Sequence, residues 1–308
     1  MAKKVVIDCD VGVDDAFALI LAFHSPELEV KTVTGVNGNV PLHQVFENIQ
    51  RVLSLIRPKQ KPTISKGAEQ PLKGKTLYAH SVHGKDGLGG ATIERKEGEE
   101  WWRFDPAHAA ELIPKMARQY PCDLTLIATG PLTNVALALQ KDLEGMRNLK
   151  EIVIMGGAVR TKGNVTPYAE FNIFSDPLAA KEVFESGLSI TLVPLDVTHE
   201  VSFTSRWMEE KVIPLGTPFS KFVTEATGYD PGTRKFRNKE VIYLHDPLAV
   251  GVVTHPDLVK KEPLAICVET EEGDRYGQTS EVKDGSMIDV CLEVDAKGFL
   301  EVFLSALR

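Results

Sequence analysis

The first two dozen residues constrain the fold most. Val5-Val6-Ile7 is a short apolar run. It is followed by Asp8-Cys9-Asp10-Val11-Gly12-Val13-Asp14-Asp15, a corner carrying four carboxylates, and then by Ala16-Phe17-Ala18-Leu19-Ile20-Leu21-Ala22-Phe23. The first run reads as a buried strand, the last as a helix, and Gly12 as the turn between them. Side chains alternate along a strand, so Asp8 and Asp10 point the same way. Asp14 and Asp15 fall at the helix start, where free N–H groups and the macrodipole favour anions. Capping accounts for Asp14 but for neither Asp8 nor Asp10. Acids crowded into one corner repel one another unless a cation lies among them. Carboxylate oxygens are hard ligands suited to Ca²⁺ or Mg²⁺, so a metal site is expected here.

The strand–helix rhythm continues. A second strand runs from Glu29 to Val36 and ends at Asn37-Gly38-Asn39. Leu42, Val45, Phe46, Ile49, Val52, Leu53 and Ile56 mark the apolar face of a helix that Pro58 closes. Residues 59–105 break the pattern, and the part around 71–105, with His80 and His83 among many glycines, reads as a flexible flap. Further strands are expected at 123–128, 151–155 and 189–195. Helices are expected after Asp105-Pro106, Pro131, Asp176-Pro177 and Asp246-Pro247. The stretch from Phe203 to about Arg237 reads as mostly helical, broken by a loop at 228–232, and the tail after Leu264 as β-rich. Asp10, Asn39, Thr129 and Asp196 all sit just past apolar strands, where ligands bind in open parallel sheets. The expectation is an α/β fold, with an open, mostly parallel central sheet flanked by helices. It would form one domain over 1–308, with its site at the C-terminal ends of the strands.

Composition narrows the partners. A net charge of -8 with no basic cluster argues against nucleic acid and anionic membranes. No apolar run is long enough to span a bilayer, and Met1-Ala2-Lys3-Lys4 leads directly into a strand without a signal-peptide apolar region. Cys9, Cys122, Cys267 and Cys291 are scattered without metal spacing, as expected of reduced cysteines in a cytoplasmic protein.

Several segments in one order resemble the inosine-uridine nucleoside hydrolase family. They are the aspartate corner, Gly38-Asn39, Val82-His83-Gly84, Thr129-Gly130-Pro131-Leu132-Thr133-Asn134, Gly163-Asn164-Val165 with Ala169-Glu170-Phe171-Asn172, and Leu244-His245-Asp246-Pro247. One departure is Val11, where many members carry proline; it alters turn rigidity and no chemical group. The resemblance implies hydrolysis of the N-glycosidic bond of ribonucleosides, with one Ca²⁺ held by Asp10, Asp15, Asp246 and the Thr129 carbonyl. Asp10 would also take the proton of the attacking water, and His245 would assist the nucleobase. Asp14, Asn39, Asn164, Glu170 and Asn172 would grip the ribose, and Asp8 would support the site from behind. The flap near His83 and the segment from Tyr229 to Tyr243 would grip the base. A homotetramer or homodimer and a role in nucleoside salvage are implied as well.

Physical chemistry supports these assignments. Departure of a base builds positive charge on the ribose, which carboxylates and amide oxygens stabilise. None of the residues implied to touch substrate is Arg or Lys, so phosphate lacks its usual partners and nucleosides rather than nucleotides are expected. Two other readings compete: a haloacid-dehalogenase-type Mg²⁺ phosphatase, and a non-catalytic Ca²⁺-dependent nucleoside-binding protein. The first needs a lysine for the phosphoryl group, and no obvious one follows a strand. The second leaves Asp10 and His245 without a task.

Overall fold

The computed structural model describes residues 2–94, 98–237 and 239–308; residues 95–97 of the expected flap lie outside them. In chain order the strands are β1 (Lys3–Cys9), β2 (Leu28–Gly35), β3 (Thr63–Lys66), β4 (Arg103–Phe104), β5 (Leu124–Ala128), β6 (Glu151–Met155) and β7 (Ile190–Val193). There follow β8 (Ser202–Thr204), β9 (Tyr229–Asp230), β10 (Lys235–Phe236), β11 (Val241–Tyr243), β12 (Val259–Val268), β13 (Thr279–Glu281) and β14 (Ser286–Val294). Ten of them build one sheet in the order β13-β12-β14-β7-β6-β5-β1-β2-β3-β4. From β14 to β4 each neighbouring pair runs parallel. The strands β12 and β13 add antiparallel partners at the far edge.

This order sets the position of the site. The chain lays β1 in the middle and works outward through β2, β3 and β4. It then crosses back to β5 on the other flank of β1. Strand order therefore reverses at the β1–β5 junction, where connections diverge and leave a crevice beyond the carboxyl ends. Asp10 follows β1 and Thr129 follows β5, and the Thr129 amide donates to the Asp8 carbonyl at 2.8 Å across that junction.

Alternation along the strands sorts the core into two layers. In β1, Val5, Ile7 and Cys9 enter one cluster and Val6 the other; in β6, Val153 and Met155 face one side and Ile152 and Ile154 the other. The helices Val13–His24, Leu42–Ile56, His245–Thr254 and Ala296–Ala306 cover the first face. Ala109–Gln119, Thr133–Met146 and Pro177–Phe184 cover the second. Strands buried on both faces explain why the sequence shows unbroken apolar runs. Phe17 is fully buried, with its ring centroid 6.1 Å from Phe222 and 5.9 Å from Phe303. Burial of such a ring contributes roughly 1.5–3 kcal/mol.

Four local readings change. The stretch 59–70 is not all loop, because β3 pairs with β2 over four residues, too few to display a period. Asp105-Pro106 does not start a helix. The Asp105 amide pairs with the Ile64 carbonyl, its side chain closes a turn at Ala107, and the helix waits for Ala109, capped by His108. The region read as helical from Phe203 opens on β8 and closes on the β9–β10 hairpin, where Asp230 accepts from Gly232 and Thr233. The β-rich tail ends in the helix Ala296–Ala306; its Phe299 and Phe303, with Leu307 just past its end, recur every fourth residue and are buried.

Candidate active site

The floor of the crevice is made of buried acid. Asp8, still within β1, accepts from Thr34 Oγ1 at 2.5 Å and Asn134 Nδ2 at 2.8 Å, while its Oδ2 has no partner. Asn134 also accepts from the Ala68 amide and donates to the Gly35 carbonyl, so one buried amide joins β1, β2 and the loop after β3. Asp10 accepts the Asn39 amide on Oδ2 at 2.7 Å, and its Oδ1 is buried without a partner. The chain passes so close here that a Cβ on Gly38 would lie 2.0 Å from Asp10 Oδ2. Gly38 is thus required by proximity to the carboxylate.

Asp15 is the most heavily anchored acid. It accepts from the Gly12 amide at 2.8 Å, from Thr129 Oγ1 at 2.8 Å and from Asn39 Nδ2 at 3.2 Å. The helix-start role expected of Asp14 therefore falls to Asp15, which reaches back to the Gly12 amide. That leaves Asp14 free of capping, and carboxylate oxygens of Asp14, Asp15 and Asp246 lie within 4.8 Å of one another. Asp10 stands apart from this trio but interacts with Asp15.

Burial and mutual repulsion shape the titration of this cage. Burial pushes Asp8 up to about 6. Burial, then the charge of Asp14, pushes Asp15 up to about 7. Asp10 and Asp246 rise well above the carboxylate range, chiefly through burial. The hydrogen-bond partners of Asp8, Asp10 and Asp15 named above are amides and hydroxyls; none is a lysine or arginine. A cage of this kind holds either protons or a cation. The unpartnered Asp10 Oδ1 and the all-oxygen donor set fit a hard divalent ion. The Thr129 carbonyl accepts Asn172 Nδ2 at 2.8 Å and retains a second lone pair for such an ion.

Beside the floor lie Asn164, Glu170 and Asn172. Glu170 caps the short helix Phe171–Ser175, accepting the amides of Asn172, Ile173 and Gly157. Asn172 donates to the Thr129 and Met155 carbonyls, which fixes its amide and turns its oxygen loose for other partners. Asn164 Oδ1 takes the Phe171 amide at 2.9 Å. The Glu170 cap makes this stretch a helix start.

The roof is built of rings. His83 ends the one-turn helix His80–His83 of the flap, and its Nδ1 accepts from the Val13 amide at 3.0 Å. A neutral ring with Nδ1 as acceptor carries its proton on Nε2, and burial pushes His83 below its usual range. His245 opens the helix that carries Asp246, with Nδ1 2.8 Å from Thr198 Oγ1. Burial lowers it to about 4. Tyr243 stacks on His245 at 5.4 Å, and His199 meets both rings at 5.1 and 5.7 Å.

Floor, flank and roof enclose a cavity of about 540 Å³. Asp14, Asn39, His83, Thr129, Asn164, Glu170, Asn172, His245 and Asp246 all line it, with Asp10 and Asp15 buried beneath. His80 and Lys85 are not among the lining residues. Asp196 is engaged elsewhere, accepting the Val159 and Arg160 amides. Val82 of the flap and, from the segment Tyr229 to Tyr243, Lys239, Glu240, Val241, Ile242 and Tyr243 line the cavity too, whereas the sequence reading did not anticipate His199. His199 had a usable signal, since it lies three residues beyond Asp196, already singled out past a strand.

Carboxylates and amides at one end and aromatic rings at the other define an α/β enzyme site for a small hydroxyl-rich ligand bearing a flat ring. Residues 5–301 match the family of inosine-uridine preferring nucleoside hydrolases, and the chain belongs to that family. It is similar over its full length to the pyrimidine-specific ribonucleoside hydrolase RihA of Salmonella typhimurium, at 35% identity with 100% of this chain and 99% of the relative covered. RihA of Photobacterium profundum is also 35% identical over the same shares. Among solved structures, a purine-preferring ribonucleoside hydrolase from Gardnerella vaginalis superposes with a TM-score of 0.87 at 30% identity, covering 99% of this chain and 98% of that one. A plant nucleoside hydrolase superposes with a TM-score of 0.88 at 29% identity, covering 100% and 99%. The chain is therefore a nucleoside hydrolase, which sets aside both the phosphatase and the non-catalytic readings.

Proposed function

We propose that this enzyme is a Ca²⁺-dependent ribonucleoside N-glycohydrolase of nucleoside salvage, with Asp10 as general base and His245 assisting the leaving base. The observation that carries the reading is the buried, unpartnered Asp10 Oδ1 within a cage of acids at the floor of the cavity. Asp10, Asp15, Asp246 and the Thr129 carbonyl would hold the ion. When bound, Ca²⁺ supplies a water of lowered pKa and offsets the charge of the cage.

The protein residues divide the remaining work. Asp14, Asn39, Asn164, Glu170 and Asn172 orient the ribose hydroxyls. Asp10 accepts the proton of the attacking water as its oxygen bonds to the anomeric carbon. The surrounding carboxylates stabilise the oxocarbenium-like charge on the sugar. Attack from the face opposite the base inverts that carbon. His245, held by Thr198, presents its outer nitrogen to the base under the roof. Glu170 on the sugar side repels a 5′ phosphate, so nucleosides are accepted and nucleotides are not. Base preference does not follow from the family, because its relatives are named for opposite preferences.

The test is release of reducing sugar. With Ca²⁺ present, inosine or uridine yields ribose, while the 2′-deoxynucleoside and the nucleoside 5′-monophosphate yield little. No sugar release from any ribonucleoside overturns the reading.

A further inference from the structure

One basic side chain lines the cavity, in a segment to which the family resemblance gave no residue-level role. Lys239 lies just before β11 with its backbone bridged to Phe236, and it lines the cavity. Its Nζ donates to the Val82 carbonyl of the flap at 3.3 Å. It lies within electrostatic reach of Asp14, His83 and His245. Lys239 is the sole lysine or arginine among the described residues that line the cavity.

We propose that Lys239 meets the departing nucleobase and stabilises the negative charge that develops on its ring. The proposal rests on the ribonucleoside reading above, which places sugar against the acids and base under the rings. An ammonium donates three hydrogen bonds, and the Val82 carbonyl takes one. The remainder are free for a ring nitrogen or an exocyclic oxygen of the base. In the reaction the anomeric carbon–nitrogen bond breaks and its electron pair stays on the base. The water oxygen bonds to the carbon, and its proton passes to Asp10. The base then takes up a proton, by way of His245 and solvent, while Lys239 keeps its own. A fixed positive charge over the ring acts where charge develops, as electrostatic preorganisation requires. The Val82 bond alone would make Lys239 a flap latch. A latch gives no reason for losses to depend on the leaving group.

The test compares Lys239→Met, which keeps the stem, with Lys239→Arg, which keeps the charge. Each is assayed on uridine, inosine and 4-nitrophenyl riboside with the Ca²⁺-loaded enzyme. Lys239→Met is expected to lose more than about tenfold in kcat on the two nucleosides and no more than about threefold on the activated riboside, with Lys239→Arg recovering most of the loss. Equal losses on all three substrates make Lys239 a latch and overturn the proposal, as does an unchanged variant. An active wild-type enzyme with an indifferent Lys239→Met sinks this inference alone. A wild-type enzyme that releases no ribose sinks the ribonucleoside reading with it.

Discussion

The two ends of the cavity are built on opposite principles. The floor grows from the ends of β1 and β5, and its acids are held by amides, hydroxyls and close backbone. The roof comes from the one-turn flap helix and the segment entering β11, and its side chains mostly rest on one another. Tyr243 remains 38% exposed and Val82 50% exposed, whereas Asp10 is 0% exposed. On the proposed reading, a floor of this kind fixes geometry for chemistry on the sugar. A roof of this kind can yield to let a ligand in, and side-chain changes there retune preference without disturbing the fold.

Experiments can strain this contrast from both sides. The largest effect belongs to Asp10→Asn, expected to retain the fold and lose roughly 10²–10⁴ in kcat, the span of one general base; a wild-type rate would remove Asp10 from that role. Gly38→Ala follows, since its Cβ would press 2.0 Å from Asp10 Oδ2. A loss of about 1–3 kcal/mol in urea unfolding is expected, together with impaired turnover. A mild phenotype would show the floor to be more pliant than described.

Calcium and pH offer a third test of the floor. Asp8 and Asp15 titrate at about 6 and about 7 in the folded chain, above ordinary carboxylate values. Folding then takes up protons between the unfolded and folded values, so the metal-free protein loses stability as pH rises from about 4 through about 7. The melting-temperature gain on adding Ca²⁺ should accordingly be larger at about pH 8 than at about pH 5. A gain independent of pH would mean the cage does not receive the ion. The smallest effect is reserved for the roof. Tyr243→Ala is expected to raise KM about two- to tenfold while sparing kcat, as loss of one ring contact implies. A collapse in kcat would erase the distinction between the two ends.

The same contrast explains what the sequence disclosed. Strands buried on both faces leave continuous apolar runs, so β1, β5, β6 and β7 stand out, and the polar residues just beyond them mark the floor. Asp8 and Asp10 were legible because no helix cap or solvated face accounts for them. The capping role read for Asp14 falls to Asp15, whose carboxylate turns back to the Gly12 amide. The roof was harder to read. Lys239 belongs to a stretch with no periodicity, and only tertiary packing carries it to the cavity. β3 was lost for want of length, and the last helix because its apolar spacing follows directly on β14.

The ring of Phe17 has a consequence for how this protein is made. It lies one turn beyond the acid corner, yet the rings that enclose it, Phe222 and Phe303, are supplied by residues some two hundred and nearly three hundred positions later. A chain emerging from the ribosome therefore displays the sticky side of its first helix until translation is almost complete. Trimming the final helix should leave a product that is synthesised normally and then captured by chaperones or proteases rather than one that is merely slow.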